Sequence, residues 1–137
     1  MSKWNCSKNK ISKGTLAVIL SKLKQFYESK VRYEQYSTDS EIAAEVLSQA
    51  SIFGDFADKK VVDLGAGTGI LGIGALLLGA REVVFVDNDS IVLEIAKENY
   101  ELVKNLHQIG KAEFVSKDIA EFCYNADTVV MNPPFGT

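Results

Sequence analysis

At 137 residues, 47% of them apolar, the chain has the length of one domain and no apolar run long enough to cross a membrane. The opening Met1-Ser2-Lys3-Trp4-Asn5-Cys6 lacks the apolar core of a secretion signal, Cys6 and Cys123 are too few for a disulfide framework, and a lone His107 forms no metal cluster, so a cytoplasmic protein without a metal is expected. The net charge of −3 is split: residues 1–32 carry eight Lys/Arg and one acid (+7) while residues 33–137 carry seven Lys/Arg and seventeen acids (−10), which argues against a broad nucleic-acid surface on the body and leaves the basic beginning as either a phosphate grip or a solvated helix face.

Residues 1–13 are polar and lysine-rich and read as a loose arm. From Ser12 or Gly14 a helix is predicted, because Leu16, Ile19, Leu20, Leu23, Phe26 and Tyr27 recur at helical spacing, with Lys22 and Lys24 outward. The Tyr-rich stretch Val31 to Thr38 reads as extended. Thr38 with Glu41 forms a capping-box pattern opening a second helix through Ile42, Val46, Leu47 and Ala50. Gln35-Tyr36-Ser37-Thr38 is then either a helix cap with a packed ring or a segment folded over a ligand, with Tyr36 as lid.

Lys60-Val61-Val62-Asp63-Leu64 reads as a strand, Gly65-Ala66-Gly67-Thr68-Gly69 as a glycine turn, and Ile70 to Leu78 as an apolar helix closed by Gly79. A second strand, Glu82 to Val86, ends in Asp87. Together these form a βαβ unit with a parallel pair. A third helix from Asp89 or Ser90 to about Leu106 presents Ile91, Ile95, Leu102 and Leu106. A third strand, Ala112 to Val115, ends near Asp118. A short turn at Ala120 to Cys123 leads to the closing strand Thr128-Val129-Val130-Met131. The expected fold is α/β: the first four strands of a Rossmann-like, doubly wound, mostly parallel sheet, with N-terminal helices. Residues 1–58 make the basic arm and helical segment carrying the Gln-Tyr-Ser-Thr lid. Residues 59–137 make the cofactor-binding core.

Glycines at a strand-to-helix turn allow close approach of a ligand, and the helix start favours negative charge. A dinucleotide fingerprint is formally present as Gly67-x-Gly69-x-x-Gly72, with Asp87 twenty positions after Gly67. It starts late, however: the register in use is Asp63-x-Gly65-x-Gly67-x-Gly69. An acid before the first glycine suits a cationic amino group better than a pyrophosphate. S-adenosylmethionine has such an amine, a carboxylate for the loop amides and a ribose for Asp87. Asp118 then either accepts from the adenine amino group or caps the short helical segment after it.

Asn132-Pro133-Pro134-Phe135-Gly136-Thr137 follows the last strand, at the edge where open α/β sheets bind ligands. The prolines stiffen this exit. The side-chain oxygen of Asn132 and the carbonyl of Pro133 can each accept one N–H of an amine on a flat ring, and Phe135 can stack on that ring. Alone, Asn-Pro-Pro reads as only a turn, and it is the rest of the chain that favours a binding site.

The two strings Asp63-Leu-Gly-Ala-Gly-Thr-Gly69 and Asn132-Pro-Pro-Phe135 resemble the class I, S-adenosylmethionine-dependent methyltransferases that act on exocyclic amines. With Glu34-Gln-Tyr-Ser-Thr38 upstream and Gly136-Thr137 downstream, residues 14 to 137 resemble the methyltransferase-like-5 family and its archaeal relatives, small-subunit rRNA adenine N(6)-methyltransferases. The resemblance implies that Gln35, Tyr36, Thr38, Asp63, Gly65, Gly67, Gly69, Asp87, Asp118 and Asn132 line an S-adenosyl-L-methionine pocket. It also implies that Asn132, Pro133 and Phe135 hold the target base of an RNA substrate, and that a small zinc-binding activator subunit, used by eukaryotic members, is a possible partner. The sequence departs from the family at Ala66, where Cys is common, and at Ser29, where a Pro often stands. The family's sheet order begins 3-2-1-4, and its members continue with further strands after Asn-Pro-Pro-Phe.

An adenine amino group is a poor nucleophile because its lone pair is conjugated with the ring. Accepting both N–H bonds favours the geometry that aims the lone pair at an electrophile, within the near-attack range of about 3–3.5 Å. Three other readings stay open: a guanine-amine or protein-glutamine methyltransferase, an NAD-dependent oxidoreductase using Gly67 to Gly72, and a cofactor-binding scaffold inactive alone.

Overall fold

The computed structural model describes residues 11–24 and 39–132. Its elements are α1 (Lys13–Ser21), α2 (Ser40–Ile52), β1 (Lys60–Leu64), α3 (Ile70–Leu77), β2 (Glu82–Asp87), α4 (Ser90–Leu106), β3 (Lys111–Ser116) and β4 (Thr128–Met131), with one 3-10 turn at Ile119–Glu121. The strands form one parallel sheet in the order β3-β2-β1-β4. The chain thus steps outward from β1 through β2 to β3, then returns to β1's other side, giving the expected Rossmann-like winding with its switch point at β1.

The two faces of this sheet are covered unequally. Val61, Val83 and Phe85 belong to the main core, with Leu16 and Leu20 of α1, Leu47 of α2, Ile73 and Leu76 of α3, and Leu93 and Val103 of α4. On the other face Val62, Val84 and Val86 form a small separate cluster, covered by Ile119, Phe122 and Ala126 from the β3–β4 connection. The strands read correctly because Val-rich runs bounded by Gly and Asp have little alternative to a buried strand.

The helices depart from the expected pattern in instructive ways. Ser12 caps α1, its Oγ accepting from Thr15 N at 3.1 Å, but the helix stops at Ser21 rather than running through Phe26 and Tyr27. The N–H groups of Lys22 and Leu23 donate to Ile19 O and Leu20 O, a tightening that closes the last turn. Leu23 is still buried beyond it; Phe26 and Tyr27 lie outside the described residues. The expected capping of α2 by Thr38, also outside those residues, is replaced by Asp39, whose Oδ1 accepts from Glu41 N at 2.8 Å and Ile42 N at 3.2 Å. A carboxylate at a helix start satisfies orphan N–H groups and complements the dipole as well.

The inner faces of α2 and α4 differ in part from the expected ones. On α2, Leu47 is buried and Ala50 packs against the core as expected, whereas Ile42 and Val46 are 62% and 58% exposed and Ala43 and Ala44 are buried. On α4, Ile91, Leu102 and Leu106 face outward, Ile95 is half-buried, and Val92, Leu93, Ala96, Asn99, Tyr100 and Val103 form the inner face. A Cβ on Gly74 would collide with Leu47 Cδ1, and one on Gly69 would lie 3.2 Å from Ala96 Cβ, so α2 and α4 both come close to α3 and its cap where a glycine stands.

Candidate functional site

The register brings the candidate residues into one row at the sheet's carboxyl edge. Leu64 pairs with Val86 on one side and with Met131 on the other, and Asp87 pairs with Ser116. One step on from Leu64, Val86 and Met131, the chain reaches Gly65, Asp87 and Asn132 at the same level. Asn132 and Asp87 are therefore two strand spacings apart across β1, about 10 Å.

Gly65, Gly67 and Gly69 all adopt positive φ (70°, 57° and 91°), which side-chain-bearing residues rarely adopt. The loop folds back onto β2: Gly65 N and Ala66 N both donate to Val86 O, at 2.8 and 2.9 Å. A Cβ on Gly65 or Gly67 would meet no heavy atom within 4 Å, so the backbone there borders open space. Gly69 is different, because it is pressed against Ala96 and caps α3.

Asp87 holds this loop from outside. Its Oδ2 accepts from Gly67 N at 2.9 Å and its Oδ1 from Asp89 N at 2.9 Å. One carboxylate thus sets both the glycine turn and the entry to α4, where Asp89 in turn caps Ile91 N at 2.9 Å. Each Asp87 oxygen keeps a second lone-pair direction for a hydroxyl donor.

Asp63 lies beneath the loop, 1% exposed, with Oδ2 accepting from Gly72 N at 3.0 Å. Burial, with a smaller contribution from the nearby Asp87 charge, raises its carboxyl from the ordinary 3.8 to about 7 against the opposing Gly72 hydrogen bond. The side chain links β1 to the first turn of α3 as well as marking the strand end. Asp118 caps the 3-10 turn, its Oδ1 accepting from Ala120 N at 2.9 Å, so the capping expectation is met. It stands two residues past Ser116, on the far side of Asp87 from the loop. Asn132 is exposed as β4 ends. Gln35, Tyr36, Thr38, Pro133 and Phe135 lie outside the described residues.

The helix start expected at Asp89 or Ser90 is found, with Asp89 as the cap. Sequence reasoning missed one residue at the loop. Asn99 is buried and hydrogen-bonded to the loop at Thr68 O. Nothing in the sequence marks it, because an Asn in a helix ordinarily reads as solvent-facing.

Residues 40–133 match the family profile described as Ribosomal protein L11 methyltransferase (PrmA). The chain belongs to this methyltransferase family. A crystal structure from Pyrococcus horikoshii, described as a candidate RNA methyltransferase, superposes with a TM-score of 0.81 and 46% identity over 91% of this chain and 60% of that one. The rRNA N(6)-adenosine-methyltransferase METTL5 of Danio rerio is 37% identical over 123 residues, 86% of this chain and 58% of its own length. A ribosomal protein L11 methyltransferase of Prochlorococcus marinus is 51% identical, but over 47 residues, 34% of this chain and 16% of its own length. The chain spans about three fifths of the curated relatives that it matches along most of its length. Among the described residues no helix is long and apolar enough to cross a membrane.

Proposed function

We propose that this chain carries the cofactor-binding part of an S-adenosylmethionine-dependent methyltransferase that modifies the exocyclic amine of adenine in small-subunit rRNA. One observation favours adenine over the protein substrate named in the family description. The similarity to the rRNA adenosine enzyme runs over 86% of the chain, whereas the matches to individual L11 enzymes cover between 34% and 55% of it.

The residues present fit the cofactor. Open backbone at Gly65 and Gly67 leaves room for a ligand against the loop, whose N–H groups at Gly65, Ala66 and Gly67 already donate to Val86 O and Asp87, and Asp87 has acceptor capacity for a ribose diol. A cationic amino group near Asp63 would favour its ionised form over the protonated one that burial favours. When bound, S-adenosylmethionine supplies an electrophilic methyl on sulfur. The protein's own contribution is alignment. Asn132 accepts one N–H of the target amine and Pro133 the other, while Phe135 replaces the stacking a base loses on leaving its neighbours. Gln35, Tyr36 and Thr38 complete the cofactor pocket, and Asp118 accepts from the adenine amino group with the oxygen that does not cap Ala120. The arm and helices of residues 1–58 then serve the pocket, and residues 59–137 carry it. A cytoplasmic setting and a small zinc-binding activator subunit follow from the same family reading.

The test is product analysis. The protein is incubated with S-adenosylmethionine and small-subunit rRNA, and the RNA is digested to nucleosides. N(6)-methyladenosine is the expected product; methylguanosine, or label on ribosomal protein alone, would overturn the substrate. Asn132→Ala should lower methyl transfer about tenfold or more, a loss of roughly 1.4 kcal/mol of transition-state stabilisation, with cofactor affinity little changed.

A further inference from the structure

Asn99 is buried on the inner face of α4, 1% exposed, and its amide is fully engaged with main chain from two distant segments. Oδ1 accepts from Lys24 N at 2.8 Å, and Nδ2 donates to Lys24 O at 3.0 Å and to Thr68 O at 2.9 Å. Thr68 stands between Gly67 and Gly69, both at positive φ, in a turn that no regular ladder supports. Two neighbours on α4 act on the same points. Glu98 Oε1 holds Lys24 Nζ at 2.8 Å, and Ala96 packs on Gly69. The helix thus touches the loop at Thr68 and Gly69 and grips the chain just past α1.

We infer that Asn99 is a positioning residue for the cofactor loop: it fixes Thr68 against Lys24 and thereby sets the shape of the turn that receives the cofactor. This rests on the cofactor reading above. A neutral amide is the group that suits the place, since one end must accept an N–H while the other donates to two carbonyls. Asp would set a carboxylate oxygen against both carbonyls, and Ala would leave two carbonyls and an N–H without this partner. A purely structural Asn99 would hold α4 to α1 and affect melting, but it would not alter the affinity of the folded protein for ligand.

The experiment compares Asn99→Ala with Val103→Ala, a buried truncation one turn further along α4 that removes none of these bonds. Both should lower the melting temperature. At a temperature where both are folded, only Asn99→Ala should weaken S-adenosylhomocysteine binding, by about tenfold. In the ligand-free proteins, the Lys24 amide should exchange faster in Asn99→Ala than in Val103→Ala. Equal dissociation constants for the two variants would overturn the inference. Should Asn99→Ala not fold, amide exchange of the wild type decides. S-adenosylhomocysteine should slow Lys24 together with Gly67 and Gly69, and slowing of the loop alone would overturn it. A wild type that binds no S-adenosylhomocysteine contradicts the cofactor reading instead. The ligand-free exchange of Lys24 then judges the tie by itself, and equal rates in the two variants sink it.

Discussion

At the β1–β2 end of the row, the loop amides donate to Val86 O and to Asp87, Asp63 ties β1 to α3, and α4 presses on the turn from behind. At the β4 end, a four-residue strand pairs, among the described residues, with β1, and Val129 and Met131 are 44% and 45% exposed. The first end is preorganised by its own backbone and by the main core. Among the described residues the second rests on β1, with Val130 against the main core and Thr128 Oγ1 donating to Asp55 O at 2.7 Å. In the proposed reading the first end holds the cofactor and the second the substrate, so perturbations at the two ends should separate them.

The largest effect is expected where the loop end leans on the core. Phe85 is fully buried, stacked on Phe114 with ring centroids 4.9 Å apart, and fills the space left by Gly72. Phe85→Ala should cost about 3–5 kcal/mol in urea unfolding; a cost under about 1 kcal/mol would show the loop end to be no better supported than the β4 end. Next comes Asp87→Ala, which removes the acceptor of two backbone N–H groups. Affinity for S-adenosylhomocysteine should fall about tenfold or more, equivalent to roughly 1.4 kcal/mol, as read by calorimetry. An unchanged dissociation constant would remove Asp87 from the site.

Asp63 provides a pH signature of the loop end. Its carboxyl is raised from 3.8 to about 7, so between those values the folded chain keeps a proton that the unfolded chain releases. Its contribution to stability is fully present below pH 3.8 and is lost as pH rises through about 7. Stability should therefore rise as pH is lowered across that window, and Asp63→Asn should flatten the curve. Parallel curves for the two proteins would contradict the assignment. At the β4 end the effects should be small. Val129→Ala should cost about 1 kcal/mol or less, because half of its surface is already in water. Smallest of all, Ile42→Ser on the outer face of α2 should stay within about 0.5 kcal/mol of the parent, against about 2–5 kcal/mol for Leu47→Ala on its inner face.

Much of the row was legible from residue order. Val runs closed by Asp or by glycine, and a closing Thr-Val-Val-Met before Asn132, leave few alternatives to parallel strands ending together, and Gly65, Gly67 and Gly79 all take the positive φ that their positions suggest. Helix faces were less legible. Ile42 and Ile91 look like core residues, yet Ala43, Ala44 and Ala96 take the inner positions, because how closely two helices approach depends on residues far apart in sequence, such as Gly74 with Leu47. Asn99 was hidden for the same reason: its partners, Lys24 and Thr68, are 75 and 31 positions away. Polar residues in helices reveal such ties only once the fold is assembled.

Calorimetric titration of this protein with S-adenosylhomocysteine, with NAD as control, probes the loop end most directly. Heat from S-adenosylhomocysteine alone is the expected result and would establish a methyl-donor site in this protein. NAD binding in its place, or no binding of either ligand, would contradict a preorganised site for that cofactor.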